Sequence, residues 1–577
     1  MAQVDVREVS PTFKFVVNDL TKFRRFLILG VESASYGRSE VEVGVEHAQA
    51  LRRLLDSGRG LECVALVSEL AAQGRCAKQN PMVFALALMA RFGPLEVRKA
   101  VYAALPTVCS IPTTFFAFLE FCKSLHAGSS RGWGRLHRQG VASWYNSQEA
   151  TRLAVSLSKY RNRKGWRHKD VLRLAHVRPS DDSHAMCLAY AAHDSSKGLA
   201  QMAVERAKKA MSGAPQGEEA AASVLATGTE DLGPQPTVAV DVSEGDGAQA
   251  AALTGTPQAL LSFLEATDTA RRSTDTAQLV QLITTHRLVR EHVATTMLDQ
   301  PPVWRALLPR MPLMALIRNL NKMTAIGLLG TNDGGQQEAV GLVLAKLADQ
   351  AMLQRARIHP FNVLLALRTY QRGQGDKGSL RWEPVPAIVQ ALEAAFYASF
   401  KHVVPSGKRV VVALDVSGSM CSLMQGSCLS SREAVSAIAM TFMRTEEHCR
   451  IMGFSNEFIE LPFTRESTLD DVMEYTRGLP FDATQCSLPM IWAQQQGVLA
   501  DAFIVMTDNE TNCDRIPPAR ALRDYRAATG IDARLVVVAT AATGFTVADP
   551  DDGGMLDVAG LDSAAPGLVS EFIAGKV

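Results

Sequence analysis

The sequence contains 10 cysteines but no Cys-x-x-Cys pair. A chain of this length does not depend on covalent staples, so reduced thiols in the cytoplasm are expected. No uninterrupted apolar run approaches the length needed to cross a bilayer, and Met1 to Glu8 lacks a basic-then-apolar leader, so no membrane partner is expected. Nucleophile-elbow, His-Glu-x-x-His, phosphate-cradling glycine-loop and helicase-motor patterns are all missing, which argues against an enzyme. Charge of one sign is missing too: 60 Lys and Arg face 59 Asp and Glu. Any surface for a polyanion must therefore be local. The 577 residues exceed one core and imply two to four domains of ordinary globular composition, with 47% hydrophobic and 21% charged residues.

From Val45 to Leu125 apolar residues recur at helix spacing, bounded by Gly and Pro, with no strand candidate. Short helices joined by short turns predict an irregular helical-repeat array. The most lopsided stretch follows. Arg131 to Arg178 holds twelve Lys and Arg against two acids, Glu149 and Asp170, interleaved with Trp133, Trp144, Tyr145, Tyr160 and Trp166. Such density focuses a positive potential whose usual partner is phosphate, and exposed aromatics there would stack on unpaired bases. The competing expectation is a solvated basic face whose tryptophans belong to the core. Ser212 to Phe263 then carries no Lys or Arg, while Glu218, Glu219, Glu230, Asp231, Asp241, Glu244 and Asp246 accumulate among Ala, Gly, Thr and Pro. That composition predicts an acidic, low-complexity insertion. Helical spacing resumes near Asp275 and continues to Phe400, with a weaker basic cluster at Arg355, Arg357, His359, Arg368, Arg372 and Lys377.

After Val404-Pro405-Ser406-Gly407 the grammar changes. Val410 to Leu414 is a β-branched apolar run ending in Asp415-Val416-Ser417-Gly418-Ser419, and Ala502 to Met506 repeats it, ending in Thr507-Asp508. Continuous apolar strands alternating with helices predict a doubly wound parallel sheet, with strands at 409–414, 449–454, 502–507 and 533–538. The Asp and hydroxyl residues fall where chains leave the C-terminal edge of such a sheet. Asp415, Ser417, Ser419, Thr484 and Asp508 together offer oxygen ligands for a hard divalent cation, most naturally Mg²⁺. The competing expectation is that Asp415 and the serines only cap the next helix. Three loops of this kind resemble the metal-ion-dependent adhesion site of von Willebrand factor A domains.

Longer phrases carry a wider resemblance. Lys159-Tyr160-Arg161-Asn162-Arg163-Lys164-Gly165-Trp166-Arg167-His168-Lys169-Asp170 continues to His176, and His286 to His292, Arg318-Asn319-Leu320, Ala356 to Phe361, Pro489 to Gln494 and Thr507 to Thr511 accompany it. The chain resembles the Ro autoantigen family, whose N-terminal part is the TROVE module. The resemblance implies an all-α HEAT-like helical-repeat ring plus a C-terminal α/β doubly wound von Willebrand factor A domain. The segments would be 1–211 and 261–404 for the ring, 212–260 for the insertion and 405–577 for the α/β domain. It implies a non-enzymatic ribonucleoprotein component in RNA quality control, a monomeric ring that binds small noncoding Y-type RNA outside and admits 3′ single-stranded ends of misfolded noncoding RNA. Lys159, Arg163 and His176 match family positions used for Y-type RNA, and Arg135, Arg161, Lys164, Arg167 and Lys169 lie in the same basic stretch.

Two departures stand out. The insertion has no counterpart in the family pattern, and Ala483-Thr484-Gln485-Cys486 replaces the family's Gly-Thr-Asp-Cys, keeping the hydroxyl and losing a carboxylate. Two rival functions are a metal-dependent protein-adhesion scaffold, with a protein partner's carboxylate at the cation, and a nuclease built on Asp415. The nuclease is disfavoured because two-ion hydrolysis needs more carboxylates than Asp415 and Asp508.

Overall fold

The computed structural model describes residues 18–31, 35–37, 45–73, 78–125, 133–199, 253, 255–356, 358–375, 379–424, 427–455, 457–479, 484–508, 515–540, 548–549, 552–559, 561 and 565–576. Most of the 212–260 segment, and Arg131, Arg357 and Lys377, lie outside them. The chain divides into a unit of residues 54–312 and a second unit that combines residues 1–53 with 313–577.

The first unit is built from paired helices. Gly60–Gln73 packs on Leu95–Val108, and Asn80–Phe92 on Pro112–Ser124, so each helix contacts the one two places along. Their apolar stripes meet an aromatic core. Phe115 stacks on Trp144 at 3.9 Å, and the Trp144 indole N–H donates to the Cys109 carbonyl at 2.6 Å. Gly140 lets two helices close on each other, since a Cβ there would lie 2.2 Å from the Tyr102 ring. The helix Pro257–Arg272, capped by Thr256, starts inside the last residues assigned to the insertion. It is tied to the helix Asp182–His193 by Asp268, which accepts from the Tyr190 hydroxyl at 3.0 Å and the Ser196 amide at 2.7 Å.

In the second unit the helices Leu313–Ala325, Gly334–Ala348, Pro360–Gln371 and Pro386–Ser399 lead into a seven-stranded sheet. Its strands are β1 (Ser35–Gly37), β4 (Val410–Asp415), β5 (Cys449–Phe454), β6 (Phe458–Glu460), β7 (Ala502–Thr507), β8 (Arg534–Ala539) and β9 (Met555–Ala559), in the order β1-β9-β8-β7-β4-β5-β6. All neighbours are parallel except β5 and β6. Every residue of β4 and β7 is buried, as expected of strands covered on both faces. The four expected strands and the helices beside them are present within a residue or two. The edge strand β1 comes from the N-terminal segment, which thus packs with the C-terminal sheet instead of starting the helical array. The Glu446 carboxylate accepts from the amides of Ser406 at 2.6 Å and Gly407 at 3.1 Å, so the hinge before β4 is held in place.

Candidate nucleic-acid interface and cation loops

The basic stretch is displayed by a feature that helical periodicity does not reveal. Strands β2 (Asn162–Arg163) and β3 (Trp166–Arg167) pair antiparallel, Arg163 opposite Trp166. The two residues between them, Lys164 and Gly165, both have positive φ, 52° and 79°. Two left-handed residues make the tight turn whose twist matches a hairpin, and Gly at the second is the usual solution. The turn leaves Arg163, Lys164 and Arg167 exposed. Trp166 anchors it from below, its indole N–H donating to the Glu120 carboxylate at 2.9 Å, with the Trp133 ring 6.0 Å away. Trp133 also lies 4.5 Å from the His137 ring, at the start of the helix that begins with exposed Arg135.

The other sequence-derived positions sort by environment. Trp144 and Tyr145 are core. The Lys159 ammonium sits over the Tyr160 ring at 5.1 Å. Lys169 is exposed on the helix His168–Ala175, and His176 ends that helix, exposed, with φ 52°. Arg161 is half-buried, and its Nε donates to the Asp194 carboxylate at 2.7 Å. His168 is buried and neutral: it bonds the Tyr145 hydroxyl at 2.9 Å and the Tyr160 carbonyl at 3.1 Å, and burial pushes its pKa down to about 3. Asp194 and the hairpin were missed in the sequence. Lys-Gly between two short extended pairs was the available signal. In the weaker cluster Arg368 is an internal strut, bonded to Glu433 at 2.6 Å.

At the C-terminal edge of the sheet Asp415 is buried. It accepts from the Ser417 amide at 2.8 Å and from the Thr507 hydroxyl at 2.7 Å. Thr507 was not among the expected positions. The Ser417 and exposed Ser419 hydroxyls lie 3.0 Å apart. Burial raises the Asp415 pKa, the hydrogen bonds from Ser417 and Thr507 oppose that rise, and the negative charge of Asp508 adds to it. Asp508 carries a buried carboxylate oxygen, Oδ1, with no hydrogen-bond partner among the described residues. Thr484 is buried, while 481–483 and 509–510 lie outside the described residues. A buried carboxylate that feels the charge of its neighbour, a buried carboxylate oxygen and clustered hydroxyls suit a hard cation. Among the described residues no three His, Cys, Asp or Glu side chains gather as a metal cluster, so the hydroxyls would be essential to the donor set.

A basic hairpin on paired helices, joined in one chain to a sheet with hydroxyl-rich loops at its C-terminal edge, defines a two-part protein of TROVE and von Willebrand factor A type. The TROVE domain model matches residues 6–369, and the Ro60 vWA domain model matches residues 409–573. The RNA-binding protein RO60 of Caenorhabditis elegans is 36% identical over 598 residues, covering 98% of this chain and 89% of that protein. The RNA-binding protein RO60 of Deinococcus radiodurans is 33% identical over 575 residues, covering 99% and 96%. The crystal structure of the Deinococcus radiodurans RO (RSR) protein superposes with a TM-score of 0.80 at 32% identity, covering 97% of this chain and 100% of that one. The chain belongs to the Ro60 family.

Proposed function

We infer that this chain is a non-catalytic RNA-binding protein, a ribonucleoprotein component that works in RNA quality control. The observation that carries the reading is the hairpin. A strained left-handed turn lifts Arg163 and Lys164 away from a half-buried aromatic base, where guanidinium and ammonium groups meet phosphates without disturbing the core. The two relatives, both named as RNA-binding proteins, point the same way. The ligands would be Y-type RNA along Lys159, Arg163, Lys164, Arg167, Lys169 and His176, and the unpaired 3′ ends of misfolded RNA. The working form would be a monomeric ring in the cytoplasm. Among the described residues no helix is long and apolar enough to cross a membrane. Replacing Lys159 and Arg163 with Ala should weaken binding of a structured RNA by roughly 1–3 kcal/mol without changing the melting midpoint. Unchanged affinity in filter binding would remove both residues from the site.

Asp415, Ser417, Ser419 and Thr484, with Asp508 through water, would hold Mg²⁺. Bound there, the ion would offer an open position to a carboxylate or phosphate. Asp415 and Asp508 supply charge, and the hydroxyls complete the shell without adding more. The adhesion reading, with a protein partner at this ion, gains no support from the relatives' names.

A further inference from the structure

Beside the hairpin strand that carries Arg167, a small cleft has Leu157, Arg161, Arg167, Lys169, Tyr190 and Asp194 in its lining. Asp194 is the only acid among these six, and its setting works against a carboxylate in two ways. It follows the helix Asp182–His193 as its C-cap, where the helix dipole disfavours negative charge, and it adopts φ 54°, ψ 29°. Asn would fill a left-handed cap without the electrostatic conflict, and Gly would do so with less strain. The carboxylate therefore needs a reason, and Arg161 supplies it. The Arg161 guanidinium is clamped along one edge, its Nε bonded to the Asp194 carboxylate at 2.7 Å and its Nη2 to the Asp194 carbonyl at 2.5 Å. The opposite amino group, Nη1, makes no hydrogen bond among the described residues, and the side chain is 30% exposed. Arg161 is thereby fixed with one donor edge unused, beside the exposed cations Arg167 and Lys169. With His168 neutral, the cleft keeps a net positive charge even after Asp194 is counted.

Resting on the RNA-binding reading above, we propose that Asp194 is a positioning residue that aims Arg161 into a phosphate seat, shared with Arg167 and Lys169, for one backbone phosphate of the bound RNA. A guanidinium immobilised before binding loses little rotamer freedom on meeting phosphate, which is where the gain over a mobile surface arginine arises.

The test uses the full chain and a synthetic stem-loop RNA with an unpaired 3′ tail, titrated at several salt concentrations. Arg161→Ala should weaken binding about fivefold to thirtyfold and flatten the plot of log affinity against log salt by about 0.7–0.9, the share of one phosphate. Asp194→Asn, which suits the left-handed cap, should weaken binding in the same direction by a smaller factor. Combined with Arg161→Ala it should add nothing. A tie that served only the fold would alter the melting midpoint and leave the salt slope untouched, and that result overturns the proposal. Tighter binding by Asp194→Asn overturns it as well, since the carboxylate would then be merely repelling RNA. If Asp194→Asn does not fold, Arg161→Lys decides: it keeps the charge but cannot be clamped along one edge, so unchanged affinity overturns the proposal and a several-fold loss supports it. Lys159→Ala/Arg163→Ala serves as the reference. If that double variant also binds normally, the RNA reading of this face fails; if it alone binds poorly, that reading stands and the seat at Arg161 falls.

Discussion

Asp508, whose buried oxygen has no partner among the described residues, is where the proposed cation would matter most. A buried acceptor left unsatisfied costs about 1–3 kcal/mol, more when charged, and Asp415 next to it is held above its ordinary range by burial and by the same neighbour. Asp415→Ala is expected to abolish binding of Mg²⁺ or Mn²⁺ in calorimetric titration while RNA affinity stays within about threefold, under about 1 kcal/mol. Without the cation, relief of the repulsion from Asp508 offsets the hydrogen bonds lost from the Ser417 amide and the Thr507 hydroxyl, so the melting midpoint should shift little. Loss of RNA affinity in a variant that melts normally would show that cation loops and basic hairpin act as one binding unit. The placement of Asp415, Ser417, Ser419 and Asp508 at the sheet edge was legible because the apolar strands that precede them are so plain. Asp194 was not, because its role depends on an arginine more than thirty residues away. Gly140 is a second single-residue test. Gly140→Ala forces a methyl into the Tyr102 ring, so a loss of about 1–3 kcal/mol in denaturant unfolding is expected, and a neutral outcome would mean the two helices can part at no cost.

Among the elements, the hairpin and the sheet show opposite sides of what periodicity can reveal. Strands β4, β7 and β8 are continuous apolar runs because both sheet faces are covered, and such runs are hard to mistake once Asp and Ser close them. β6 has three residues, and β9 contains Asp557, a carboxyl buried mid-strand. Neither gives a pattern long enough to register. β2 and β3 have two residues each, so only their turn could announce them. That turn yields its own prediction. Gly165→Val places a β-branched residue at φ 79°, costing about 1–2 kcal/mol locally. The hairpin should loosen and structured-RNA affinity should drop by up to about tenfold, with the melting midpoint of the whole chain unchanged because little else packs on the turn. Normal affinity would mean that the exposed cations work without the hairpin's geometry.

Across the whole molecule, acid should act unequally on the two units. His137, His168 and His292, all in residues 54–312, are buried, and burial pushes each down to about 3. The unfolded chain takes up protons near 6.5 and the folded one does not, so their stabilising effect is complete above pH 6.5 and drains away as pH falls toward 3. At pH 5 each costs about 2 kcal/mol. Among the described residues the other unit holds one such histidine, His359, pushed to about 4. Burial also raises Asp557 there to about 7, so its contribution is full below pH 3.8 and lost as pH rises through 7. These two effects oppose each other. Calorimetry at pH 5 should therefore split melting into an early transition of the helical unit and a later one of the α/β unit, and a single unshifted peak would count against the burial of these histidines. Strand β1 has a different kind of consequence. Its partner β9 lies more than five hundred residues downstream, Ser35 beside Asp557. At about 5–20 residues per second a ribosome needs roughly half a minute to two minutes to make that partner. Throughout synthesis the nascent chain carries the edge of a sheet that does not yet exist, and the first strand to emerge is among the last to find its place.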